Sequence, residues 1–389
     1  MVTAAPPLPA TRAPRAVRVR HLGPNWYASV MGTAAVGTAG SALPVALPAG
    51  LRPVLAAVWA LSLLMLMTLL AARTLHWIHH RDQARAHLLD PAMAPFYGCL
   101  SMAMLAVGGG APTAGRDWLG TGTAVALDVV LYTAGTAVGL GAAVAVPYLM
   151  SVRHRIEPSE ASPVWLLPLV APMVSAALGP QLVPHLPPGQ PRATLLLACL
   201  AMFGLGLFAT LVTLPLVLFR LITAGPLPLA LTPTLFLVLG PLGQSTTAVG
   251  SISNAAPGVV PAAYARGLDV FSVLYGVPVT GFALMWLALA VAHLVRARRQ
   301  GMGFAMTWWA CTFPVGTCVT GAAALARHTG LTGYQALSVA LYVLLVAAWL
   351  AAGTGTVRGL LSGELLAGPR PAPAAPAPGT ARTTSGTAR

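Results

Sequence analysis

Ten apolar stretches, punctuated by short clusters of Pro, Gly and Arg, run through the chain at 26–43, 53–72, 92–110, 119–149, 164–184, 193–220, 229–251, 262–293, 303–325 and 333–352. Crossing a hydrocarbon core of about 30 Å takes roughly 20 apolar residues of α-helix, so each stretch is a candidate span. Spanning barrels show short alternating strands instead, and these runs do not alternate. Only 8% of the residues are charged, against about 25% in a soluble domain whose surface faces water. The expected fold class is an all-α integral membrane protein with ten transmembrane helices over residues 23–360, flanked by a disordered basic tail (1–22) and a disordered Pro/Ala-rich tail (361–389). Residues 1–22 contain no apolar core of a signal peptide.

The arginines orient the spans. All 22 basic residues are Arg, scattered between apolar runs, so the net charge of +14 reads as membrane topology and not as a nucleic-acid surface. With a cytoplasmic N-terminus, seventeen fall inside: Arg12, Arg15, Arg18, Arg20, Arg73, Arg81, Arg85, Arg153, Arg155, Arg220, Arg296, Arg298, Arg299, Arg358, Arg370, Arg382 and Arg389. Five fall outside: Arg52, Arg116, Arg192, Arg266 and Arg327. That excess of positive charge inside places both termini in the cytoplasm.

The odd-numbered spans carry small and polar residues that a lipid-facing helix does not need. In span 7, Gly240, Gln244, Thr247, Ser251 and Asn254 follow helical spacing and share one face. Span 1 offers Ser29 and Thr33, span 3 Ser101, span 5 Ser175, and span 9 Phe313, Thr317 and Thr320. Pro172, Pro241 and Pro314 are candidate helix kinks, since each lacks a backbone donor. Two readings stand: close helix packing through small residues, or polar faces turned toward one permeation path. Span 4 also carries hydroxyls, so parity is not a clean rule.

Asp128 in span 4 is a candidate proton relay or a buried hydrogen-bonded acid. Asp269 follows Arg266 by three residues, which allows an intrahelical ion pair. His76, His79, His80 and His87 lie among Arg73, Arg81 and Arg85 without a standard metal-ligand spacing, and read as a solvated basic loop. Cys99, Cys199, Cys311 and Cys318 fall inside apolar runs and read as core. No lysine occurs, which excludes a Walker A site or a Schiff base. No catalytic residue, metal or cofactor is expected.

Several segments are familiar together. Gly23-Pro24-Asn25-Trp26-Tyr27-Ala28-Ser29-Val30-Met31-Gly32-Thr33 opens span 1, Asp90-Pro91 leads to Pro95-Phe96-Tyr97-Gly98, and Trp165-Leu166-Leu167-Pro168 begins span 5. Gly240-Pro241-Leu242-Gly243-Gln244-Ser245 and Trp308-Trp309-Ala310-Cys311-Thr312-Phe313-Pro314-Val315-Gly316-Thr317 follow in spans 7 and 9. In this order, over residues 23–350, they resemble the tellurite-resistance/dicarboxylate transporter family, which includes plant slow anion channels, yeast malate permeases and fungal sulfite efflux pumps. The resemblance implies a homotrimer in the plasma or inner membrane. Each protomer would place ten helices in quasi-fivefold hairpins around a central pore, lined by the odd spans and gated by a phenylalanine that Phe313 matches. Neither tail resembles the plant channel's regulatory extension, so kinase control is not implied.

The resulting expectation is transport of small anions, C4-dicarboxylates such as malate or succinate first, with a sulfite, nitrate or chloride channel or efflux pump as the alternative. A membrane-embedded enzyme ranks last, because no acids or histidines converge within one leaflet. Reporter fusions at Arg116, Arg192 and Arg327 are expected to read as external; an internal reading at any of the three breaks the ten-span map.

Overall fold

The computed structural model describes residue 20, residues 22–154, 156–363 and residue 365. The two tails expected from the sequence lie almost wholly outside these residues. Among the described residues, regular structure is helical throughout, without a strand. Ten principal helices follow the ten apolar stretches: α1 (Tyr27–Ser41), α2 (Leu51–His79), α3 (Tyr97–Gly110), α4 (Thr121–Val152), α5 (Leu166–Leu178), α6 (Gln190–Thr223), α7 (Leu239–Ala255), α8 (Ala262–Arg299), α9 (Phe313–Thr329) and α10 (Thr332–Leu361).

Eight helical rods are long and apolar enough to cross a membrane, and a ninth joins them if Arg81–Leu89 and Ala94–Gly110, bent by 104°, count as one span. Helix α1, at 15 residues, rises only about 22 Å at 1.5 Å per residue, short of the roughly 30 Å core. The multi-spanning helical class therefore stands, and among the described residues length and composition by themselves account for eight or nine of the ten expected crossings.

Parity in the sequence becomes an inside and an outside in space. Helices α1, α3, α5, α7 and α9 touch in cyclic order, α9 closing back on α1. Each even helix packs against the two inner helices that precede and follow it in this cycle: α2 on α1 and α3, and so on to α10 on α9 and α1. The most apolar windows of the rods containing α5, α7 and α9 are 83–94% buried, those of the even helices only 17–33%. The even helices run 29 to 38 residues and expose Leu64, Val144, Phe208, Leu274 and Val343, the surface that hydrocarbon solvates best.

Small residues let the inner helices approach. A Cβ on Gly243 would stand 2.4 Å from the Cys318 backbone nitrogen, and one on Gly98 2.4 Å from the Leu167 carbonyl oxygen. Polar teeth fix the outer ring to the inner one. Trp59 Nε1 donates to the Val107 carbonyl at 2.9 Å, Trp286 Nε1 to Leu235 at 2.9 Å, and Tyr342 Oη to Val36 at 3.2 Å.

Every inner helix is led in by a 3-10 segment: Pro24–Trp26, Ala94–Phe96, Pro163–Trp165, Leu229–Val238 and Met306–Cys311. Proline at the start of the first four fixes φ where the missing N–H has no helical partner. The last four lead-ins touch one another in turn, gathering the beginnings of these inner helices at one end.

Gly243→Ala is expected to lower thermal stability by about 1–3 kcal/mol through overpacking against backbone. Gly204→Ala, whose new Cβ meets nothing within 4 Å, should be neutral or stabilise by up to about 1 kcal/mol. Thermal melting of both variants in detergent checks the contrast; equal melting would mean that α7 and α9 can separate without cost.

Candidate functional site

All five inner helices converge on a small cavity of about 20 Å³ on the axis of the ring. Met31 of α1, Met102 of α3, Val170 of α5, Leu237 before α7, and Phe313 of α9 line it, with Gly240 and Pro241. Phe313 is buried and belongs to one apolar cluster with Met31, Met102 and Leu237. A space of this size holds about one water, and its walls offer that water almost nothing polar.

Local sequence sets Phe313 there. The 3-10 turn Met306–Cys311 ends at Thr312, whose φ of −99° and ψ of −82° lie outside the helical region. Thr312 Oγ1 donates to the Trp309 carbonyl at 2.6 Å. Gly32 makes room for that hydroxyl, since a Cβ there would overlap it at 2.1 Å. Phe313 is thus the first residue of α9 and Pro314 the second. This revises the expectation of three kinks. Pro172 does lie inside α5, but Pro241 and Pro314 sit in the first turns of α7 and α9, where no intrahelical hydrogen bond is lost. The break there is the change from 3-10 to α-helix.

Most of the expected polar lining stitches helices together. Ser29 and Thr33 face a groove between α2 and α10, and Thr33 Oγ1 accepts from Trp349 Nε1 at 3.1 Å. Ser101 Oγ donates to the Gly135 carbonyl of α4 at 2.6 Å, and Ser175 Oγ accepts from Thr136 at 2.9 Å. Thr317 Oγ1 donates to the Pro314 carbonyl of its own helix at 2.7 Å and lies 3.3 Å from the Leu239 and Gly240 carbonyls of α7. The Thr247 and Thr320 hydroxyls are 2.7 Å apart, closing α7 on α9. Gln244 and Ser251 differ, their side chains having no hydrogen-bond partner among the described residues. Gln244 lies one turn beyond the cavity-lining Gly240 on the same helical face.

The two intramembrane acids lie elsewhere. Asp128 is buried on α4 and accepts from Gln181 Nε2 at 2.8 Å, tying α4 to the 3-10 segment Gly179–His185 that extends α5. Asp269 meets His328 Nδ1 of α9 at 2.9 Å and Ser253 Oγ at 3.4 Å; its side-chain partners are these two and not the expected Arg266.

The loop read as solvated is also partly buried. Arg73 donates to the Leu22 carbonyl at 2.6 Å and to Tyr97 Oη at 3.2 Å, while His76 stacks on His87 with centroids 5.7 Å apart. These groups clamp the chain before α1 onto the end of α2. No group of three or more potential metal ligands occurs among the described residues. Sequence reasoning missed the apolar lining around Phe313; Met31 and Met102, one on each of two inner spans, were its only visible signal.

Comparison with known proteins covers nearly the whole chain. The profile of the SLAC1 family, described as voltage-dependent anion channel, matches residues 21–357. An uncharacterized transporter of Methanocaldococcus jannaschii is 27% identical over 352 residues, covering 90% of this chain and 96% of the relative. A sulfite efflux pump of Trichophyton rubrum is 25% identical over 345 residues, covering 86% and 89% respectively, and one from Arthroderma otae is 23% identical over 349.

The Gln181 contact makes Asp128 a structural acceptor. Asp128→Asn should melt close to the parent and leave anion flux unchanged with or without a pH gradient. Asp128→Leu should lose about 1–3 kcal/mol by stranding the Gln181 amide. Liposome flux and melting of both variants check this, and loss of pH-driven flux in the Asn variant would restore the proton-relay role.

Proposed function

This chain belongs to the SLAC1 family of anion transporters and channels, and from that membership we propose that it moves small inorganic anions, sulfite foremost, along the axis of its inner helix ring. The observation that carries this reading is the convergence of all five inner helices on one apolar constriction that contains Phe313. An anion entering a space of about 20 Å³ must shed its hydration where no charge replaces it, at a cost of many kcal/mol. On this reading the constriction is the shut state of the path, a hydrophobic gate that acts by excluding water. Beyond the gate, Gln244 supplies an amide dipole, so selection rests on neutral dipoles and follows hydration cost.

The sulfite efflux pumps among the relatives favour sulfite over the C4-dicarboxylates expected first. Two carboxylates on one small molecule ask for two donor groups, and the residues lining the constriction include no cation. The homotrimer, the plasma or inner membrane, the cytoplasmic termini, the ten crossings and their quasi-fivefold arrangement belong to the same reading.

Phe313→Ala should raise anion flux in liposomes by about tenfold, the effect of lowering a barrier by about 1.4 kcal/mol. Sulfite, nitrate and chloride should all pass with modest selectivity. If Phe313 is a packing residue only, its truncation costs about 3–5 kcal/mol of stability and lowers flux along with yield. Flux measured beside melting temperature and oligomeric state separates the two, and malate transported far better than chloride would overturn the substrate assignment.

A further inference from the structure

A second cavity, of about 320 Å³, opens at the end of the bundle where the inner helices begin. Three rods start around it: Ala94–Gly110, Pro163–His185 and Leu229–Ala255. Ser162 and Pro228, the residues that cap the second and third of these, line the cavity, as does Ala92 just before the first. Each rod turns the positive end of its backbone dipole toward this space, against the one negative end that α6 brings there with Arg220.

Arg220, in the last turn of α6, forms part of the wall and is only 9% exposed. Its Nε donates to the Ser159 carbonyl at 3.0 Å and its Nη1 to the Gly225 carbonyl at 2.7 Å. Its Nη2 has no protein partner among the described residues, and Arg220 is in neither of the two ion pairs found there, Arg20–Asp82 and His328–Asp269. A guanidinium carries five N–H donors and cannot shed its charge, so one buried without a carboxylate is incomplete. The one acid among the lining residues, Glu160, is exposed, with Oε2 accepting from the Glu157 backbone N–H at 3.1 Å. Trp165 supplies apolar wall, which lowers the local dielectric and strengthens any charge-assisted bond made inside.

We propose that this cup binds a small free oxyanion on Arg220 Nη2, holding it at the mouth of the bundle outside the Phe313 constriction. Its role as a docking station for transport rests on the transport reading above; its chemistry does not. Three converging helix N-termini favour an anion, and a single free guanidinium edge suits one oxyanion group.

The test is a thermal-shift titration of the purified full-length protein in uncharged detergent, with sodium sulfite against sodium gluconate at equal ionic strength, beside liposome flux. Sulfite should raise the melting midpoint by mass action. Arg220→Gln should weaken binding by about tenfold or more, and Glu160→Gln, which removes the rim charge and keeps an oxygen to accept from the Glu157 N–H, should tighten it about two- to fivefold. Phe313→Ala should bind sulfite as the parent does. If Arg220→Gln does not fold, Glu160→Gln alone decides, and parent-like binding by it overturns the proposal. Short-chain phosphatidylglycerol stabilising the protein through Arg220 while sulfite does not would also overturn it, by assigning the cup to a lipid phosphate. Sulfite binding lost in Arg220→Gln, in a protein that passes no anion even as Phe313→Ala, upholds the cup and sinks the transport reading. Transport by a parent whose midpoint ignores sulfite does the reverse.

Discussion

A hydrocarbon layer accepts no hydrogen bonds, so each hydroxyl, indole and amide that enters it must find its partner within the protein. The two-ring architecture depends on this constraint. Thr33, Ser101, Ser175 and Thr247 each bond across to a neighbouring helix. Trp59, Trp286 and Tyr342 reach inward from the outer ring to carbonyls on inner helices or their lead-in. Polar residues on the inner helices thus serve mostly as fasteners, and apolar side chains are left to fill the axis.

Close packing follows from the same helices. Between lipid-solvated helices, water expulsion supplies little driving force, so contact rests on dispersion and small residues. Glycines at 98 and 243 bring α3 to α5 and α7 to α9 at backbone distance. With the ring drawn in this tightly, Met31, Met102 and Phe313 meet around a space of about 20 Å³. An aromatic ring in such a space has no room for a hydrated ion beside it.

The two ends of the bundle are not equivalent. The inner helices are parallel neighbours whose 3-10 lead-ins gather at one end, and the buried arginines Arg73 and Arg220 are found with them. Neither guanidinium has a carboxylate partner among the described residues. Arg73 is held by the Leu22 carbonyl, His76 and Tyr97, Arg220 by the Ser159 and Gly225 carbonyls.

Apolar run length, scarcity of charge and the parity of polar residues determined that this is a helical membrane protein with two kinds of helix. That was legible because lipid leaves helices few alternatives and because a helix that touches only protein tolerates Gly and Ser where a lipid-facing one carries Leu and Val. Phe313 was legible by resemblance to a family and not by spacing. What only the tertiary structure decided was direction. Helical periodicity assigns residues to faces, but Ser29 and Ser101 each have two flanks: Ser101 turned to the Gly135 carbonyl on α4, while Ser29 bonded back to the Trp26 carbonyl beside the groove between α2 and α10. Arg73, Asp269 and Arg220 likewise found His76, His328 and Ser159 at separations of 3, 59 and 61 residues. Two of these three contacts join segments far apart in the chain, and no local pattern encodes a contact that exists only once the ring has closed.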